Sequence, residues 1–239
     1  MSEEAVELVD GDGPVLLTCE HATERMPEGW RWPQEDLRLR GTHWAYDLGA
    51  RELTLELAER LGAGAVLSRF SRLLVDANRP ESSETLFLRE AEGAPVALNT
   101  THLDASERER RIEGLLRPYH AAADARTGRS MSQLLLSVHS FTPVFEGRPR
   151  TLEVGVLHDR DGALAERLAA ALARASIHVA LNEPYSGLAG LMYSADRHAR
   201  AHGRAALELE VRQDLAVDPG FRARLAELVA AFVRAEDGR

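Results

Sequence analysis

Nine histidines and 38 carboxylates are spread over the 239 residues, and a few of them stand where chemistry would need them. His21-Ala22-Thr23-Glu24 has the spacing that sets an imidazole and a carboxylate on one metal across a tight turn. With so many acids, the spacing alone is close to chance, and it recurs as His158 and Asp161. What distinguishes His21 is its place after an apolar run and before a turn toward Pro27, where it is either a metal ligand or a hydrogen-bonded strand-end histidine. His139 lies in a similar setting, Ser137-Val138-His139-Ser140-Phe141-Thr142-Pro143. Two strand-end histidines and one carboxylate would supply the three protein ligands of a catalytic zinc, leaving a fourth position for water.

Two further groups suit the same chemistry. Asp76-Ala77-Asn78-Arg79-Pro80 closes an apolar run with an amide and a guanidinium, whose planar fork can take a carboxylate; a structural pairing of Arg79 with Asp76 is the plain alternative. Arg72 is a second cation there or simply an exposed one. In Glu208-Leu209-Glu210-Val211-Arg212 the charges share one strand face. On a half-exposed strand this is ordinary, whereas on an interior strand such charges are costly unless they serve a site, and Glu210 would then be a general base.

Composition excludes other mechanisms. All 29 basic residues are arginine, so chemistry that depends on a lysine amine, from Schiff bases to Walker A phosphate loops, is ruled out. There is no G-x-S-x-G elbow and no G-x-G-x-x-G after a strand. Cys19 could pair with His21 as a nucleophile, but a cysteine inside an apolar run is more often a small buried hydrophobe. A net charge of −9 with no basic stripe argues against nucleic acid. No apolar run reaches the ~20 residues that span a bilayer. The acidic start Met1-Ser2-Glu3-Glu4 and the single cysteine lead to the expectation of a cytoplasmic protein without disulfides.

These residues must be positioned by short apolar runs that alternate with longer amphipathic ones, the pattern of a single α/β domain over residues 1–239 with a mixed, mostly parallel sheet flanked by helices. Strands are expected over 14–19, 65–70, 73–76, 133–138, 152–157, 177–181 and 205–211. Helices are expected over 47–61, over 104–128 with a break at Pro118, after a cap at Asp161, and after Asp218-Pro219. The chemistry-bearing residues fall at strand ends: Glu20 and His21, Asp76 to Arg79, His139, Asn182 to Tyr185, Arg212. Ligands of open α/β sheets bind at the carboxyl edge.

The same segments, together with Tyr46-Asp47-Leu48-Gly49-Ala50, Asn182-Glu183-Pro184-Tyr185-Ser186-Gly187 and Leu209-Glu210-Val211-Arg212-Gln213-Asp214, resemble the N-formylglutamate amidohydrolase family. That family is similar to the zinc carboxypeptidases and the aspartoacylase group in fold, a phosphorylase/hydrolase-like sheet. The resemblance implies a hydrolase with one divalent metal, zinc, acting on a small anionic N-acyl amino acid such as N-formyl-L-glutamate. It implies His21 and His139 as metal ligands with Glu24 as the third and Asp47 as its rival. Glu210 would activate water, and Asn78-Arg79, Arg72, Tyr185 and Arg212 would line the substrate pocket. The readings outside this class are a non-catalytic binder of an anionic amino-acid derivative and a cysteine hydrolase built on Cys19.

Overall fold

Seven strands form one sheet in the computed structural model, which describes residues 4–238: β1 (Val6–Asp12), β2 (Val15–Cys19), β3 (Ala63–Ser68), β4 (Leu134–Phe141), β5 (Val154–Leu157), β6 (Val179–Leu181) and β7 (Ala205–Arg212). Met1, Ser2 and Glu3 of the acidic start lie outside the described residues. The order across the sheet is β1-β3-β2-β4-β7-β5-β6. β3, β2, β4 and β7 run parallel, while β1 is antiparallel to β3 and β5 is antiparallel to β7, with β6 parallel to β5. This is the expected mixed, mostly parallel α/β sheet, and its buried central strands are the continuous apolar runs of the sequence. β1 was not expected; its burial fades from Val6 to Asp12, as befits an edge strand.

The longer helices are α1 (Ala50–Leu61), α2 (Arg117–Arg129), α3 (Gly162–Arg174), α4 (Tyr193–Ala201) and α5 (Pro219–Asp237). Leu53, Leu57, Leu168, Leu172, Leu225 and Val229 bring α1, α3 and α5 onto one sheet face. α2 and α4 cover the other. The expected break at Pro118 is absorbed by a π-helical turn, Ile112–Leu116, after which proline sits in the first turn of α2 where its missing N–H is harmless. Asp218 caps α5, accepting from the Phe221 N–H at 2.7 Å. Asp161 occupies the N-cap position of α3 but makes no capping bond; its carboxylate accepts from the Ala206 N–H at 2.9 Å and ties the helix start to β7.

Residues 73–76 are not a strand. They form turns whose buried carbonyls are taken by side chains instead of a ladder: Asn99 donates to Leu73 O at 2.8 Å, and the fully buried Arg111 donates to Leu74 O at 3.2 Å and to Leu98 O at 3.0 Å. An apolar run is buried in either case, so hydrophobicity alone did not separate a strand from a pinned loop. That loop carries Arg72, Asp76, Asn78 and Arg79.

Strand alternation then sorts the sheet's two faces. Val15, Leu17, Cys19, Leu136, Val138, Leu207 and Leu209 pack in the core beneath α1, α3 and α5. Their neighbours Thr18, Glu20, Ser137, His139, Glu208 and Glu210 point the other way, and all are buried. The register sets Glu208 opposite Ser137 and Glu210 opposite His139, so the polar groups form rows across β4 and β7. Thus β7 is an interior strand with charges on one face, the case in which those charges call for a site.

Candidate active site

Two imidazoles converge on one carboxylate. His21 follows β2, and Asp47 is anchored to it by a backbone bond from Asp47 N–H to His21 O of 2.9 Å. His139 sits on β4. Asp47 Oδ2 lies 3.4 Å from His21 Nδ1 and 2.8 Å from His139 Nδ1, and it also accepts from the Ser140 N–H at 3.2 Å. One ligand atom from each of His21, Asp47 and His139 lies within 4.8 Å of the others, and all three residues are buried, so the group could hold a metal ion.

The far side of each ring is fixed. His21 Nε2 donates to Asp76 Oδ1 at 2.7 Å, and His139 Nε2 donates to Glu20 Oε2 at 3.0 Å. Glu20 is held in turn by the Ser137 hydroxyl at 2.6 Å and the Tyr119 hydroxyl at 2.9 Å. Protons on both Nε2 atoms leave both Nδ1 lone pairs directed at the same point, the arrangement in which carboxylates orient metal-binding histidines. The donor set of two imidazoles and one carboxylate fits zinc with an open position.

The charge balance favours a cation. Glu20, Asp47, Asp76, Glu208 and Glu210 are all buried around this point. Arg72 offsets part of that charge, with Nη1 3.3 Å from Asp47 Oδ1 and Nη2 2.7 Å from Asp76 Oδ2. Burial opposes the ionised form of Asp47, but the charges and hydrogen bonds of His21 and His139 outweigh it and hold its carboxyl well below the usual range. Burial likewise opposes a charge on His139, yet the surrounding Glu208, Asp47 and Glu20 keep its pKa well above the ordinary imidazole value. The carboxylate excess that favours a proton on His139 would equally favour a metal cation.

Burial lifts Glu208 to about 7 and Glu210 well above an ordinary carboxyl, with neighbouring carboxylates adding to burial and His139 opposing it. Glu210 Oε2 has no hydrogen-bond partner among the described residues, and Glu210 lines the cavity in front of the histidines. A buried carboxyl with a raised pKa and a free oxygen is suited to take and return a proton.

That cavity, about 140 Å³, also includes Arg72, Asn78, Arg79, Tyr185 and His43. Arg79 donates to Asn78 O at 2.9 Å and Thr85 Oγ1 at 3.3 Å; the expected alternative, a pair with Asp76, is replaced by the bond of Asp76 to Arg72. Asn78 faces inward: its amide donates to Leu191 O at 3.2 Å and accepts from the Ser194 N–H at 2.9 Å. Tyr185 reaches the cavity by an unexpected route. β6 runs against β7, so its end lies at the opposite sheet edge, and the chain returns over β5 with Glu183 O seated where a side chain at residue 155 would be. A Cβ on Gly155 would lie 1.9 Å from that oxygen.

Three expectations are corrected. Glu24 is not brought to the histidines; its carboxylate accepts from the Gly41 N–H at 2.5 Å and lies 3.9 Å from Arg40, and the carboxylate that lies beside both histidines is Asp47. Arg212 does not line the cavity, because at the end of β7 its guanidinium turns to Asp214 at 2.7 Å and to Arg150 O at 3.1 Å. Cys19 lies on the other sheet face within the apolar core, where burial pushes its thiol far up and away from a reactive thiolate. Sequence reasoning placed Glu20 and Asp76 at strand ends without assigning either to the site, and it did not name His43. For the two acids the signal was adjacency, Glu20 beside His21 and Asp76 four residues after Arg72, but their partners are remote in sequence.

Comparison with known proteins points to one family. The profile of N-formylglutamate amidohydrolase matches residues 13–217. The chain is 27% identical to the N-formylglutamate deformylase of Pseudomonas putida over 84% of this chain and 80% of that protein. Among solved structures, a gene product of Agrobacterium tumefaciens superposes with a TM-score of 0.86 at 32% identity, covering 97% of this chain and 94% of the other. The N-formylglutamate amidohydrolase of Ralstonia eutropha shares the fold, with a TM-score of 0.67 at 21% identity over 98% of this chain and 97% of that one. With its profile match extending from β2 past β7 and over every residue of the histidine–aspartate cluster, the chain belongs to the N-formylglutamate amidohydrolase family.

Proposed function

We propose that this protein is a metal-dependent amidohydrolase of the cytoplasm that removes a formyl or other small acyl group from an N-acyl amino acid, with N-formyl-L-glutamate the first substrate to test. The observation that carries the reading is the convergence of His21 Nδ1, His139 Nδ1 and Asp47 Oδ2, with each histidine's Nε2 held by a carboxylate. These three residues would hold a divalent cation, most naturally zinc given two imidazoles and one carboxylate. Such a cation, when bound, supplies Lewis acidity toward the acyl oxygen and the attacking water.

The chain's own residues do the rest. Glu210 takes a proton from water as its oxygen bonds to the acyl carbon, and returns that proton to the amine nitrogen as the C–N bond breaks, giving formate and the free amino acid. Arg79 lines the cavity with no carboxylate within ion-pair distance among the described residues and would bind the substrate's carboxylate. Asn78, bonded to Leu191 and Ser194, holds that guanidinium's turn in place, and Tyr185 closes the side of the cavity next to Glu210. Arg72 holds Asp47 and Asp76 in register.

The decisive experiment is formate release from N-formyl-L-glutamate by purified protein, before and after chelation and after zinc is restored, with bound metal measured on the protein as isolated. Turnover that requires one metal per chain, and a Glu210→Gln variant that keeps the metal yet loses at least 10²-fold in kcat, is the expected result. Chelator-insensitive turnover removes the metal mechanism.

A further inference from the structure

Two cations bear on the wall beside the reacting groups without an acid partner. The cavity in front of the histidines adjoins a second compartment of about 310 Å³, and His43, Arg72, Arg79, Thr142 and Tyr185 border both. Arg72 is engaged with Asp47 and Asp76. His43 is kept toward its neutral form by burial, aided by the charges of Arg72 and Arg150. Arg79 has no carboxylate within ion-pair distance among the described residues.

Arg150 is the second such cation. Its Nη1 donates to Thr142 O at 3.2 Å and to Thr142 Oγ1 at 3.1 Å, and its guanidinium lies 4.7 Å from the centre of the Phe145 ring and 5.4 Å from that of Phe141. It also donates to the Tyr185 hydroxyl. Each of these neighbours lines one compartment or both, and no carboxylate among the described residues lies within ion-pair distance of Arg150. The backbone at 150 is pinned from two sides. Its N–H donates to Pro143 O at 2.8 Å, closing the hairpin of Val144–Phe145 with Arg148–Pro149, and its carbonyl accepts from Arg212 Nη1 at 3.1 Å. Arg212, which does not line the cavity, thus holds Arg150 against the wall.

Two guanidinium groups without counter-charges on one wall match a ligand that brings two carboxylates. Arg79 serves the α-carboxylate. Arg150 is placed for the one farther from the reacting bond, because Phe145, on which it stacks, lines only the second compartment. A guanidinium has more N–H donors than the Thr142 and Tyr185 bonds use, and the Tyr185 hydroxyl, accepting from Arg150, keeps its own proton for an anion. We propose that Arg150, with the Tyr185 hydroxyl beside it, receives the side-chain carboxylate of the substrate and is the residue that selects N-formyl-L-glutamate over its uncharged amide, N-formyl-L-glutamine. This rests on the amidohydrolase reading and leaves the reaction unchanged.

The test is the ratio of kcat/KM for N-formyl-L-glutamate to that for N-formyl-L-glutamine, measured on the zinc-loaded protein. The two substrates have the same shape, so the ratio isolates the charge. The wild type should prefer the glutamate derivative by about 10- to 100-fold, the contribution of a hydrogen bond to a charged group, and Arg150→Gln should bring the ratio to within threefold of one. Tyr185→Phe, which removes a single oxygen and keeps the ring, should lower the ratio several-fold and supplies the answer where the Arg150 variant does not fold. A wild-type ratio near one, or variants in which both substrates fall equally so that the ratio keeps its wild-type value, overturns this inference and leaves the amidohydrolase standing. Turnover of neither substrate by the wild type overturns the amidohydrolase reading as well.

Discussion

Gly155→Ala tests whether the return of residues 182–185 over β5 is what shapes the site. The added Cβ would meet Glu183 O at 1.9 Å and Glu210 Cβ at 3.3 Å, so the new methyl is wedged between the substrate wall and the general base. To reach the 3.0 Å closest approach of real Cβ atoms, Glu183 O must retreat by about 1.1 Å, and Tyr185 follows two residues later. Overpacking of this kind costs about 1–3 kcal/mol of stability, which for a chain of this size lowers Tm by roughly 2–4 °C per kcal/mol. A misplacement of about 1 Å near reacting groups costs on the order of 10²-fold in rate. The variant should therefore stay folded at 25 °C yet lose on the order of 10²-fold in kcat/KM for formate release, with metal content unchanged because His21, Asp47 and His139 lie just after β2, just before α1 and on β4, away from β5. A folded Gly155→Ala protein with wild-type kcat/KM would refute the assignment of Tyr185 and Glu210 to the substrate cavity.

Other expectations follow from single observations. Asp47→Asn should weaken zinc binding by more than the 10–100-fold typical of residues that only orient a ligand, measured by competition with a chelating dye, whereas Glu24→Gln should leave it unchanged because its carboxylate is spent on Gly41; the reverse ranking would restore Glu24 as ligand. His120 and His198 lie 3.0 Å apart, and burial, aided by the charge of the partner or of Arg197, pushes them down to about 3 and about 4. Both are neutral at pH 7, so below about 6.5 the unfolded chain binds protons that the folded one refuses, and this contribution to stability is lost as pH falls toward 4, at about 1.4 kcal/mol per pH unit per histidine. Glu208, Glu210 and His139 titrate in the opposite sense, so the comparison is with His120→Gln, in which urea unfolding should show a pH 7 to pH 5 stability change smaller by about 2 kcal/mol; equal changes in both proteins would contradict it. Thiol alkylation should leave turnover intact, since Cys19 is buried on the far side of the sheet.

The residues whose surroundings were most legible in the sequence were those whose location follows from their position on a strand. Glu208 and Glu210 alternate with leucines along β7, and a buried strand can carry such a face only if it borders a site. Arg212 has the same spacing and failed, because alternation fixes the side of the sheet but not the point where the strand ends and its side chain turns to Asp214. The H-x-x-E spacing made Glu24 look like a ligand, but the turn after His21 carries it to Gly41.

By itself the sequence determined the α/β class, the burial of the central strands, the absence of any amine chemistry in a chain with 29 arginines and no lysine, and the candidacy of His21, His139 and Glu210. These follow from local quantities, apolar runs, period-two alternation and residue type, that need no knowledge of neighbours. Only the tertiary structure decided that Asp47 rather than Glu24 stands between the histidines, that Asp76 and Glu20 hold their outer nitrogens, and that Arg79 has no acid partner within ion-pair distance among the described residues. Each of those pairs residues 26 to 119 positions apart or compares partners competing for one cation, and such choices are settled by which strands lie side by side.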